Sequence, residues 1–269
     1  MAALHWHAYV LVFVAGLVAA FGTSLGAVPL FFVEDIDDRV DVSLWGFAGG
    51  LMASASVFGI LYEALVNVGD VVLTAGGFAA GILLVVVAHR IVHRMNYEPA
   101  DMAQADATTM LNIFVVLLVH SFPEGIAIGV SFAHLRTDQG IHVLGFAIPV
   151  LAVVMTLALA IHNVPEGIAT AIPMRGKMSN GEMWGAAFFT SIPQPIGAVA
   201  AFYFVVLAQE FLPFGYGLAA GAMLFLVAED VLPEGLEAGE SLDASAAKRF
   251  LAGGAALGFV AMAPLVLFL

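Results

Sequence analysis

Long apolar runs alternate with short polar stretches along the whole chain, and each run is longer than a soluble helix needs. A bilayer core about 30 Å thick takes roughly 20 apolar residues of helix to cross. Runs of that length fall at about 8–32, 44–67, 71–93, 108–133, 141–172, 182–207, 214–234 and 247–268. They predict eight spanning helices, an all-α polytopic membrane protein built as one transmembrane domain over 1–269. The stretch 94–107, with Pro99, reads as a polar linker, and no solenoid-type repeat is present. No basic segment precedes the first run, so it reads as a spanning helix and not as a cleaved signal peptide.

Charge orients this bundle. Arg39 falls between runs 1 and 2, Arg90 and Arg94 between 3 and 4, Arg175 and Lys177 between 5 and 6, and Lys248 and Arg249 between 7 and 8. Of the 8 Lys and Arg, Arg136 alone falls on the other side. Basic loops stay in the cytoplasm, which puts both termini outside. Composition agrees with a lipid environment: 62% of residues are hydrophobic and 11% charged, too apolar for a soluble core to hide. A net charge of −13, much of it in EDIDDRVD (34–41) and EGLEAGESLD (234–243), argues against a nucleic-acid partner and suits a cell living in high salt. With no cysteine, disulfides and thiolate metal sites are excluded.

Two hexapeptides break the apolar pattern in the same way: HSFPEG at 120–125 and HNVPEG at 162–167. Ionisable groups at membrane depth are costly and mark function. His120 with Glu124, and His162 with Glu166, sit at i and i+4, so each pair shares a helix face. Two facing pairs supply two imidazoles and two carboxylates, a shell that suits Zn²⁺ best and leaves Fe²⁺, Mn²⁺ and Co²⁺ open. Pro123 and Pro165 each remove a helix hydrogen bond, and the freed backbone is tolerated there only beside protein or a cavity. Gly125 and Gly167 follow and let another backbone come close. Enzyme readings find no support: HExxH is absent, and the two lysines, Lys177 and Lys248, lie in loops, where neither can carry a buried Schiff base.

HSFPEGIAIGVSF and HNVPEGIATAIPM resemble the paired signatures of the ZIP (Zrt/Irt-like) family of divalent metal transporters. The likeness extends through GTSLGAVPLFF (22–32), GGLMASASVFGILYEAL (49–65), SIPQPIGAVAAF (191–202) and GAMLFLVAEDVLPEG (221–235). It implies a primary metal site of His120, Glu124, His162 and Glu166. It also implies a weaker adjacent site that shares the glutamates and adds Ser121, Asn163 and Gln194. Ser121 stands where the family has asparagine and Gln194 where it has glutamate, so one well-held metal is expected. Glu229, Asp230 and Glu63 become candidates for relaying cations toward the cytoplasm.

The implied function is uptake of a divalent metal, foremost Zn²⁺, through a multi-pass protein of the plasma membrane. Efflux, or a broad-specificity carrier or channel that also takes Cd²⁺, is the alternative. Zn²⁺ is then the transported substrate, no catalytic cofactor is expected, and the partners are the metal ion and the lipid bilayer. A homodimer is compatible with this reading. The family likeness implies that spans 1, 4, 5 and 6 move against the others. Protons compete with metal for imidazole and carboxylate ligands, so uptake is expected to fall at acid pH. Vesicle uptake measured from about pH 7.5 to about 5.5 checks this, and a flat profile would contradict the ligand assignment.

Overall fold

The computed structural model describes residues 6–33, 36–92, 121–135, 140–143 and 146–262. Helix α1 (Trp6–Ala27) runs into a 3-10 turn at Val28–Phe31. Helix α2 (Asp38–Ser54) starts where the Asp37 carboxylate accepts from the Arg39 amide, an acidic cap that satisfies an otherwise unbonded N–H. It continues as wider π-helical turns at Ala55–Leu61 and Glu63–Val68, then stops at Gly69 in the left-handed conformation, φ 82°. Helix α3 spans Val71–Val92, and α4 covers 121–131. A small antiparallel hairpin, β1 (Ile141–Val143) and β2 (Phe146–Ile148), pairs Ile141 with Ile148. Then come α5 (Val150–Ala171), α6 (Asn180–Thr190), α7 (Pro193–Leu207) and α8 (Leu212–Leu226). A π turn at Val227–Val231 links α8 to α9 (Leu232–Glu237), and α10 (Ala244–Ala261) follows.

Among the described residues, six helical stretches are long and apolar enough to cross a bilayer: Trp6–Phe31, Asp38–Val68, Val71–Arg90, Val150–Ile168, Asn180–Leu207 and Gln209–Glu237. The fourth expected run, 108–133, is described only from 121, and the eighth, 247–268, only as far as 262. One expectation needs correction. The run 141–172 is not one helix: its first residues form the hairpin, and Pro149 stands at the N-cap of α5. The run 182–207 holds as one span, Asn180–Leu207, with the helix interrupted at Ser191 and Ile192 because Pro193 and Pro195 have no amide to carry the ladder onward.

Glycines decide how the helices meet. A Cβ placed on Gly22 would overlap the carbonyl of Ala160, one on Gly26 that of Val164, and one on Gly167 that of Thr23. So α1 and α5 run parallel with their backbones touching. The same device joins α2 to α10 (Gly46 and Gly50 against Leu251 and Ala255, Gly254 and Gly258 against Ser43 and Phe47). It joins α3 to α8 (Gly77 and Gly81 against Phe214 and Leu218) and α4 to α7 (Gly125 and Gly129 against Gln194 and Ala198). In lipid, where apolar faces gain little from each other, close backbone approach at small residues supplies the packing energy.

These four seams sort the helices into two groups. Helices α1, α4, α5, α6 and α7 form one, since Gly16 also meets the backbone of Pro195. Helices α2, α3, α8, α9 and α10 make up the other, its two seams joined through side chains, as where Val231 and Leu232 meet Gly49. Where a glycine of one group faces the other, it meets side chains only: Gly59 meets Leu151 and Met155, and Gly215 meets Val130 and Val205. A cavity of about 210 Å³ lies on this boundary, lined by Phe122, Ile126, Val130, Phe204, Phe214 and Leu218 among others. Substituting Gly50→Ala should therefore cost about 1–3 kcal/mol through forced separation of α2 and α10. Gly253→Ala, with nothing within 4 Å of the new Cβ, should be neutral or stabilising by up to about 1 kcal/mol. Thermal unfolding of the two variants in one detergent checks the contrast, and equal melting temperatures would contradict it.

Candidate metal centre

His162 lies twelve residues into α5, about 18 Å along the helix and near mid-bilayer. It is 1% exposed and Glu124 on α4 is 0% exposed. The His162 Nε2 atom is 3.3 Å from Glu124 Oε1, yet makes no hydrogen bond among the described residues. Glu166, one turn further along α5, completes a group whose ligand atoms all lie within 4.8 Å of one another. Ligands about 2.0 Å from a tetrahedral ion sit about 3.3 Å apart, so the His162–Glu124 spacing already fits a shared cation. Pro165 interrupts the helix beside Glu166, and the absent side chain of Gly167 admits the backbone of Thr23. The hydroxyl of Thr170 donates to the Glu166 carbonyl at 2.8 Å.

The second oxygen of Glu124 is taken up differently. The Gln194 side-chain amide donates to Glu124 Oε2. Its own oxygen accepts from Asn163 Nδ2 at 3.1 Å, and that nitrogen also donates to the Ala19 carbonyl at 2.8 Å. Asn163 and Gln194 are both buried, so this chain ties α1, α4, α5 and α7 together in a low-dielectric interior where such bonds are strong. An N–H aimed at a carboxylate occupies the side on which a second cation would have to sit. Ser121 is buried too, but its hydroxyl donates to the Thr190 carbonyl at 3.1 Å, toward α6. Thr23 and Ser191 share a hydrogen bond of 2.5 Å beside this cluster. Asn163 and Gln194 thus come together with Glu124, and Ser121 does not join their hydrogen-bond chain.

The remaining expected residues divide between the two ends of the bundle. His120 lies outside the described residues. Glu229 and Asp230 sit in the π turn after α8, and Asp230 Oδ2 is 3.1 Å from His89 Nε2 on α3. Glu63, the third relay candidate, lies toward the other end of the bundle from Asp230. Because α2 runs against α3 and α8, its last turns lie beside the start of α8. There Glu63 meets His134, with Nε2 3.5 Å from Oε1, and accepts from Asn67 at 2.6 Å. Neither His134, which follows α4 in no motif, nor His89 stands out in the sequence. Only the fold reveals their partners.

No family model matches the chain. The zinc transporter ZIPB of Bordetella bronchiseptica is 30% identical over 236 residues, covering 82% of this chain and 72% of that protein. The chain belongs to the ZIP family. Zinc transporter GufA of Myxococcus xanthus is 28% identical over 245 residues, 86% of this chain and 91% of its own length. A protein of Arabidopsis thaliana, named provisionally as a zinc transporter, is 37% identical over 237 residues. The match covers 86% of this ZIP chain but 36% of the plant protein, so the chain spans about a third of that relative's length.

Proposed function

We propose that this chain carries divalent metal ions across the plasma membrane, taking up Zn²⁺ into the cytoplasm through one site between α4 and α5. The observation that carries the reading is the cluster of Glu124, His162 and Glu166, two carboxylates and an imidazole within 4.8 Å of one another inside an apolar bundle. Like charges so close in a poor dielectric need a proton or a cation between them. A doubly charged ion held by two carboxylates and neutral imidazoles leaves the loaded site close to neutral, and no Lys or Arg lies in these helix segments to repel it. His120, four residues before Glu124 in the sequence, is the fourth ligand in this account. The metal is cargo, and nothing in the cluster calls for enzymatic chemistry.

Eight spans with both termini outside accord with the seams, since each seam joins two odd-numbered or two even-numbered spans and all four are parallel. The six Lys and Arg among the described residues lie at one end, which the charge rule makes cytoplasmic. The first group of helices, joined backbone to backbone within itself and by side chains to the second, suits a rocking or sliding motion in which it carries the ion past the second. Inward direction is what the resemblance to the ZIP signatures implies, and the acidic loops suit a prokaryote of salty habitats. The protein reconstituted in vesicles should take up Zn²⁺, with Glu124→Ala and Glu166→Ala each lowering the initial rate at least about tenfold. Both variants transporting like the parent would sink the assignment.

A further inference from the structure

The polar pair at the end of the bundle away from Asp230 has a feature the inner cluster lacks: its two members belong to different helix groups. Glu63 lies on the π-helical end of α2, and His134 follows α4. Nε2 of His134 is 3.5 Å from Glu63 Oε1, a spacing close to that of two ligands around one zinc-sized ion. Asn67 holds the other carboxylate oxygen at 2.6 Å, which fixes the orientation of the first. The imidazole is 46% exposed and the carboxylate 15% exposed, so an ion arriving from water reaches the pair directly. A second observation points to a ligand at this place. The hydroxyl of Tyr216 on α8 is buried without a hydrogen-bond partner among the described residues, and it lies within electrostatic reach of the Glu63 carboxylate. Farther along α2 toward the inner cluster, the hydroxyls of Ser56 and Ser54 are likewise buried and unbonded among the described residues.

We propose that Glu63 and His134 form an outer loading site for a divalent cation of the zinc class. It lies roughly 15–20 Å from the inner cluster by helix rise. It rests on the transport reading above and gives that reading an outer end. An ion bound here bridges α2 to the end of α4, so it clasps the two helix groups together at the outer face. Displacement of one group past the other pulls the ligands apart and releases the ion. The outer site therefore exists in one arrangement of the groups only, and it concentrates metal at the mouth before the inner cluster takes it.

The test is equilibrium binding of radioactive zinc to the purified full-length chain in phosphatidylglycerol-containing nanodiscs. In a parent carrying Glu124→Gln and His162→Ala, a residual zinc site is expected. Adding Glu63→Gln, or separately His134→Gln at its half-exposed position, should weaken that residual binding at least about tenfold. In the otherwise unaltered protein, each outer substitution should raise the zinc concentration for half-maximal uptake and leave the saturated rate unchanged. A merely structural pair would lower the saturated rate instead. Absence of residual binding, or residual binding indifferent to both outer substitutions, would overturn the outer site while leaving the inner one standing. Failure of the unaltered protein to transport any divalent cation would sink the transport reading whatever the binding shows.

Discussion

Glu124 has no exposure to solvent and lies against His162 inside an apolar bundle. A carboxylate in such a place costs several kcal/mol unless its charge is shared, and the surrounding architecture answers that requirement. One oxygen takes the amide of Gln194, and the other faces His162 at 3.3 Å. Glu166 adds a second negative charge nearby, which makes the group a poor place for a proton-free empty state and a good one for a divalent cation. A transported ion must also leave, so its binding cannot be too strong. A shell in which one carboxylate oxygen is spent on an amide holds its cargo less tightly than a fully charged one.

Such a shell works only if the helices that carry it keep their register. The seams provide this, because a glycine pressed on a carbonyl leaves no slack for sliding. Gly125 against Gln194 places α4 on α7, and Gly167 against Thr23 places α5 on α1. Both contacts lie within one residue or one turn of a site residue, so the packing device and the chemistry occupy the same stretch of chain. Between the groups the contacts are side chains and a cavity. Rigid halves with a soft boundary are what alternating exposure of one site requires.

Much of this was legible in the sequence. The positions of the apolar runs, the alternation of basic loops and the duplicated His–Pro–Glu pattern each follow from a local rule. The hairpin at 141–148 was not legible, because a short apolar run carries the same signal as strand or helix. The break before Pro193 was visible in the Pro193–Gln194–Pro195 triplet and lies within the one span that the run predicts. Glycines spaced by four at Gly46 and Gly50, Gly77 and Gly81, and Gly217 and Gly221 stand openly in the sequence, though only the fold tells which helix each one meets. The pairing of Glu63 with His134 joins residues more than sixty positions apart and left no periodic trace. Gln194 was read as a member of a weaker second metal site. In the fold it is a hydrogen-bond donor with a definite task, which composition and spacing alone do not disclose.

The central claim is that one cation is held by Glu124, His162 and Glu166 and that the Gln194 amide stands where a neighbour would bind. Anomalous diffraction from crystals grown with zinc tests it most directly. The account predicts one strong peak among those three side chains and none within bonding distance of Gln194 and Asn163. A second fully occupied peak bridging Glu124 to Gln194 or Asn163, or no peak between Glu124 and His162, would contradict it.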